Sequence, residues 1–267
     1  MPVDNPHDDD PFIGLTFQYQ PILGADGARL LAYETLVRRS RRDGTIDGPD
    51  VLLPVLTGPD WISAFTRLSL EFALARLDAE PYLPALSVNL SPRQMELDVV
   101  GEVISRAPVS IRRRLMIELT EDPIVDHPGV ANMLHGLAVL GVRVFLDDVT
   151  LCSAMRLSTL RRAVHGLKLD RSLVGEFSAT KLSDEARALI DMADDSGLLL
   201  VAEGIEDAKL LPRLAARGIP FFQGFALGEP WTEPKVARRR IVSPGNVALL
   251  PEPELLRSLS RPISKLN

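Results

Sequence analysis

The chain has 267 residues, 46% of them hydrophobic and 25% charged, with a formal net charge of -6 and one cysteine, Cys152. That is material for one large core. It excludes a broad surface for polymeric nucleic acid, which would be basic, and an intrachain disulfide, so the expected compartment is a reducing cytoplasm. No apolar run reaches the roughly 20 residues that cross a bilayer, and the acidic start is the opposite of a secretory signal.

Residues 1–14 read as a disordered lead, with Asp8-Asp9-Asp10 as a solvated charge run. Residues 15–240 form the expected barrel domain, and residues 241–267 a tail packing on or near it. Strands are predicted at Phe17–Ile22 and Arg29–Arg38, joined by the turn Gly24-Ala25-Asp26-Gly27 as an antiparallel hairpin. Arg39–Gly48 reads as a charged loop. Trp61–Leu77 has helical periodicity, with Leu68, Leu70, Phe72, Ala73 and Leu77 available to the core. A strand over Ala85–Ser91 runs into Ser91-Pro92, an N-cap followed by proline in the first turn. Further strands are predicted at Leu115–Glu121, Arg143–Val149, Gly166–Asp170, Leu198–Ile205 and Phe221–Phe225. Helices are predicted at Val130–Leu140, Ser153–Ala163, Asp184–Ser196 and Asp207–Arg217. Eight strands, mostly separated by helices, predict a (β/α)8 TIM-like barrel with a reversed first strand.

The runs share one feature: polar groups stand at or just past the end of short apolar segments. Glu34 follows Leu30–Tyr33, Asn89 closes Ala85–Val88, and Glu118 and Glu121 follow Leu115–Ile117. Asp147 and Asp148 close Val144–Leu146, Lys168 follows Leu167, and Glu203 follows Leu198–Ala202. Apolar runs of this kind read as buried parallel strands, whose carboxyl ends are where α/β proteins place their chemistry. Several carboxylates at one rim repel each other, and a divalent cation with oxygen ligands is the usual remedy. The four histidines match no metal-binding pattern, and Cys152 has no partner for zinc.

The motifs resemble, in order, those of the EAL family of cyclic di-GMP phosphodiesterases. They are Gln20-Pro21-Ile22, Glu34-Thr35-Leu36-Val37-Arg38, Val88-Asn89-Leu90-Ser91, Glu118-Leu119-Thr120-Glu121, Asp147-Asp148, Lys168-Leu169-Asp170, Ala202-Glu203-Gly204-Ile205-Glu206 and Gln223-Gly224-Phe225. The resemblance covers roughly residues 15–232 and implies a metal-dependent enzyme that opens cyclic di-GMP to linear pGpG. It implies that Glu34, Asn89, Glu118 and Asp147 hold one Mg²⁺ or Mn²⁺. Asp147 and Asp148, with Glu203, would hold a second; Glu203 is alternatively the general base. Lys168 would orient water or offset phosphate charge. Glu206 and Gln223 would complete the site, with Gln20, Leu36 and Arg38 as contacts to the dinucleotide. Arg38 suits that role because its planar fork offers paired donors to a phosphate or a guanine edge.

Three positions depart from the family pattern. Thr35 replaces the usual Ala, and Arg39 stands where Trp usually follows. The run Val149-Thr150-Leu151-Cys152-Ser153 replaces Phe and a Gly-Thr-Gly-like segment, although Glu121, the family's anchor for that loop, is present. Glycine there allows positive φ and tight turning, which Leu151 and Cys152 do not. The altered loop supports an alternative: a catalytically silent protein that binds cyclic di-GMP or a regulatory protein partner as a signalling effector. A homodimer is a further expectation of the resemblance.

Overall fold

A computed structural model describes residues 12–56, 58–95, 97–120, 130–151 and 164–234. The expected helix over Ser153–Ala163, the anchor Glu121, Cys152 and the tail over 241–267 lie outside those residues. Nine strands form one sheet: β1 Leu15–Gly24, β2 Leu30–Ser40, β3 Ile46–Asp47, β4 Leu86–Leu90, β5 Leu115–Thr120, β6 Arg143–Val149, β7 Gly166–Leu169, β8 Leu199–Ala202 and β9 Phe221–Phe222. All but β3 close into a barrel, in the order β1-β9-β8-β7-β6-β5-β4-β2, with β2 pairing back to β1. β1 is antiparallel to both its neighbours, and the remaining barrel pairings are parallel. The fold is therefore the barrel with a reversed first strand that the sequence predicts.

The helices on the outside follow their apolar periodicity. Pro59–Ala79 turns Phe65, Leu70, Ala73, Leu74 and Leu77 inward. Leu68, expected on that face, is 38% exposed, because it lies on the opposite side of the helix from Leu70 and Ala73. Val130–Leu140 and Asp184–Ser196 have the expected limits. The second is capped by Ser183, whose hydroxyl accepts the Ala186 N–H at 3.1 Å. The helices Asp98–Arg106 and Ser172–Ser178 were not anticipated. In place of one helix over Asp207–Arg217 there is a 3₁₀ turn, Ala208–Leu210, followed by Leu211–Ala215, with Pro212 in its first turn. β8 and β9 stop short of their expected ends. Past Ala202 and Phe222 the backbone turns across the barrel mouth, and Ile205 N–H donates to the Gln223 carbonyl at 3.0 Å.

Two further corrections concern β2. It runs on to Ser40, two residues past its expected end, and the expected loop Arg39–Gly48 contains β3. The cause is a clamp. Asp47, 8% exposed, accepts from Arg39 Nε and Nη2 at 3.0 and 2.7 Å and from Arg41 Nε at 2.8 Å, which pins Ile46–Asp47 against Arg39–Ser40. Arg39, the departure from the family pattern, is thus a structural residue here. Thr35 is also accommodated, since its buried hydroxyl donates to the Ser87 carbonyl on β4.

Inside the barrel the strands build layers with period two. An apolar layer contains Ile22, Ala32, Ala85, Met116, Phe145, Val201 and Phe221. Two residues further toward the mouth stand Gln20, Glu34, Ser87, Glu118, Asp147, Glu203 and Gln223. The apolar layer is tightly fitted on β6 and β7. A Cβ on Gly166 would lie 2.3 Å from the Phe145 ring and 2.6 Å from the Leu199 carbonyl oxygen. Gly166→Ala is therefore expected to destabilise the protein by about 1–3 kcal/mol through overpacking. A urea unfolding midpoint equal to that of the parent chain contradicts this.

The opposite mouth of the barrel holds a half-buried histidine. His165 Nδ1 accepts the Val144 N–H at 3.1 Å, which requires the neutral ring. Burial, and then the Arg143 guanidinium, hold its pKa below the ordinary value. A depressed histidine pKa means that the unfolded chain takes up the proton first. The contribution is complete above the unfolded value of about 6.5 and is lost as pH falls through the folded one. Unfolding free energy should thus fall more steeply below about pH 6.5 in the parent than in His165→Gln; parallel pH profiles from denaturant titrations contradict this.

Candidate metal and active site

The mouth-side polar layer converges on one ammonium group. Lys168, on β7, is 1% exposed. Its Nζ lies 2.7 Å from Glu203, 2.8 Å from Glu118, 2.9 Å from Asp147 and 3.7 Å from Glu34. The four carboxylates come from β2, β5, β6 and the residue after β8. Asn89 Nδ2 donates to Glu34 Oε1 at 2.7 Å, and Gln223 Nε2 donates both to Glu34 Oε2 and to Gln20 Oε1. Gly224 makes this closure possible. It has φ of +155°, and a Cβ there would fall 2.2 Å from the Ile205 backbone nitrogen.

The electrostatics divide the carboxyls. Burial raises the Glu34 pKa, but Lys168 and the hydrogen bonds from Asn89 and Gln223 outweigh it, so the group sits below the ordinary carboxylate value. Burial carries Glu118 well above its ordinary value despite Lys168, aided by repulsion from Glu34 and Asp147. Glu203 is pushed up to about 7, chiefly by burial. Burial depresses Lys168, yet the surrounding carboxylates raise it well above its usual value. The ammonium is thus a resident cation, and the carboxylates around it outnumber it.

Asp147 and Asp148 reach the mouth together because β6 slips register against β7 between Leu146 and Val149. Asp148 has φ of 55°, a left-handed conformation that costs a non-glycine residue about 1–3 kcal/mol. Asp147, Asp148 and Glu203 bring ligand oxygens within 4.8 Å of one another. Glu118 Oε1 is buried without a hydrogen-bond partner. Oxygen donors so crowded, one of them unmet and three carboxyls (Glu118, Asp148 and Glu203) raised by burial and repulsion, fit a divalent cation that prefers oxygen ligands.

Of the residues predicted from sequence, Glu34, Asn89, Glu118, Asp147, Lys168, Glu203, Gln20 and Gln223 meet in one hydrogen-bonded or ion-paired cluster. Asp148 adjoins it and is exposed. Glu206 stands apart, 63% exposed and 2.6 Å from Arg171. Leu36 and Arg38 share the Glu34 face of β2, one and two pleats further along. Arg38 donates to its own Val37 carbonyl at 2.9 Å. Above the cluster opens a cleft of about 300 Å³, lined by Gln20, Glu34, Asp148, Glu203, Glu206 and Gln223. Asp170, Arg171 and Phe225 also line it; sequence reasoning gave them no role, although Asp170 and Phe225 belong to recognised motifs and Arg171 directly follows one.

A closed barrel with an acidic cleft at the carboxyl ends of its strands has its polar site where barrels of this kind place their chemistry. The chain belongs to the EAL domain family, whose model matches residues 13–230. It is 29% identical to an uncharacterised protein of Azorhizobium caulinodans over 80% of this chain and 31% of that one. It is 24% identical to the probable cyclic di-GMP phosphodiesterase PdeN of Escherichia coli over 79% of this chain and 42% of that one. The chain thus spans less than half the length of either relative. Among solved structures, the PaMucR phosphodiesterase in complex with cyclic di-GMP superposes with a TM-score of 0.67 at 25% identity, over 82% of this chain and 92% of that one. Klebsiella pneumoniae BlrP1, solved with manganese and cyclic di-GMP, shares the fold with a TM-score of 0.65 at 24% identity, over 82% of this chain and 56% of that one.

Lys168→Met removes the one cation held by four carboxylates. Breaking a buried charge cluster costs about 3–5 kcal/mol. Urea unfolding with a chelator should show that loss, and added Mn²⁺ should recover part of it by supplying the missing charge. An unchanged midpoint counts against the arrangement.

Proposed function

We propose that this protein hydrolyses cyclic di-GMP to linear pGpG in the cleft above Lys168. The observation that carries the reading is the convergence of Glu34, Glu118, Asp147 and Glu203 on that ammonium, beside Asp148. Glu34, Asn89, Glu118 and Asp147 are the ligand set for one Mg²⁺ or Mn²⁺, and Asp147 and Asp148 the anchors for another, with Glu203 beside them as the base. Bound there, such ions supply an ionisable water and offset the charge of the non-bridging phosphate oxygens.

The chain's own residues do the remainder. Glu203, with a pKa near neutrality and its oxygen at the cleft floor, accepts the proton of the attacking water. Water attacks phosphorus, the ribose 3′-oxygen leaves, and the ring opens to pGpG. Lys168 keeps Glu118, Asp147 and Glu203 within 3 Å of a single point, so the carboxylates need little rearrangement during the reaction. Asn89 and Gln223, the latter held in turn by Gln20, fix the Glu34 carboxylate. Leu36 and Arg38 receive the dinucleotide along β2, and Glu206, tied to Arg171, borders the entrance.

A second reading has its own support in the run Val149–Ser153, which lacks the glycines of the family pattern. On that reading the cleft binds cyclic di-GMP without cutting it and transmits the event to a protein partner or a second copy.

The test is incubation with cyclic di-GMP and Mg²⁺ or Mn²⁺ followed by chromatography. Linear pGpG should form, Glu34→Ala should abolish it, and Glu203→Gln should lower kcat by about 10²–10⁴-fold. Nucleotide binding by calorimetry without any pGpG establishes the effector reading instead; neither binding nor product removes both.

A further inference from the structure

Among the described residues that line the cleft, Glu34, Asp148, Asp170, Glu203 and Glu206 are acids, and Arg171 alone is basic. Arg171 stands two residues past β7, in the turn that enters the helix Ser172–Ser178. Its side chain is 66% exposed, and its Nη2 lies 2.6 Å from Glu206 Oε1.

The stem of Arg171 is fixed by its neighbour. Gly204 has φ of +63°, and a Cβ there would fall 2.5 Å from Arg171 Cγ, 2.7 Å from its Cβ and 2.8 Å from its Cδ. The aliphatic chain therefore lies against the Gly204 backbone, and the guanidinium beyond it is the part left to turn. Glu206 holds that guanidinium in the open, where an ion pair is weak and readily exchanged. Position round the barrel adds to this. β7 is four strands from β2 in either direction round the closed sheet, so the Arg171 turn stands across the mouth from the wall that carries Arg38.

A cyclic dinucleotide has two phosphates. Bound metal ions would offset the one that is cut. The other enters the same acid-lined mouth without a metal, and repulsion opposes it unless a cation of the wall turns to meet it. A guanidinium meets a phosphate through paired charge-assisted hydrogen bonds, which outcompete an exposed contact with one carboxylate.

We propose that Arg171 leaves Glu206 and binds the uncut phosphate of the cyclic dinucleotide, and so is a specificity-determining residue of the cleft. The assignment rests on the cleft being a cyclic di-GMP site, whether it cuts the ligand or only holds it. It makes two phosphates, rather than one, the condition for tight binding.

The experiment is calorimetry of cyclic di-GMP with Mg²⁺ on the full chain carrying Glu203→Gln, in which turnover is suppressed. Adding Arg171→Met should weaken Kd about tenfold, because a hydrogen-bonded charge is lost at an exposed site. Arg171→Lys should stay within about threefold of the Glu203→Gln chain, since an ammonium also pairs with a phosphate. Raising NaCl from about 0.05 to 0.5 M should weaken binding more with Arg171 present than with Arg171→Met, because the contact joins charges in water. If the change at Glu203 prevents binding, KM of the parent chain against Arg171→Met decides, with the same tenfold rise expected and kcat altered by less than about twofold. Equal affinity with and without Arg171→Met overturns the proposal and leaves the function of the cleft standing. Arg171→Lys as weak as Arg171→Met, with parallel salt profiles, marks a contact to a neutral base edge and also overturns it. Neither heat from the Glu203→Gln chain nor product from the parent removes the function and the proposal together.

Discussion

The structure is organised around one ammonium ion. Lys168 lies where four carboxylates from separate parts of the barrel meet, and neither charge type would be tolerated there without the other. Burial alone would neutralise the acids and deprotonate the lysine. Together they keep Glu34 ionised and Lys168 charged, while repulsion and burial carry Glu118 and Glu203 upward. The single positive charge is too little for the acids around it, and that imbalance makes the cleft a candidate metal centre.

The barrel creates this meeting point by strict alternation. Glu34, Glu118, Asp147, Glu203 and Gln223 each have an apolar residue two positions before them, and Gln20 on the reversed strand has Ile22 two positions after it, so a dry layer forms under the polar one. That layer keeps water away from the floor of the site and raises the strength of every charge interaction above it. It also isolates Arg143 from the carboxylates, and so the two ends of the barrel interior have opposite electrostatic character.

Departures from the family pattern are absorbed by local partners. Arg39 joins Arg41 in holding Asp47, and Thr35 donates to the Ser87 carbonyl across the strand pair. The bulk of Phe145 is matched by the missing side chain of Gly166 on the adjoining strand. Asp148 takes a left-handed backbone at the β6 register slip, and this strained conformation brings it alongside Asp147 and Glu203. Strain kept at that position, in a fold otherwise free of positive φ outside glycine among the described residues, is the mark of a functional constraint.

The sequence by itself determined the barrel, the reversed first strand and the strand-end polar residues that the fold gathers into one cluster. Apolar runs ending in acids are a local pattern that short segments carry intact, and the ordered motifs add the family. The same local reading could not see that β2 continues past Arg38, because Asp47, eight residues beyond Arg39, supplies the partner that holds Arg39 in the strand. It gave Lys168 a place at the site but none of the four distant carboxylates that the barrel brings around it. It placed Glu206 with the catalytic group, whereas packing sets it at the rim against Arg171. Only the tertiary structure decided these points, because burial and ion pairing depend on which strands become neighbours, and barrel closure joins residues as far apart in sequence as Gln20 and Gln223.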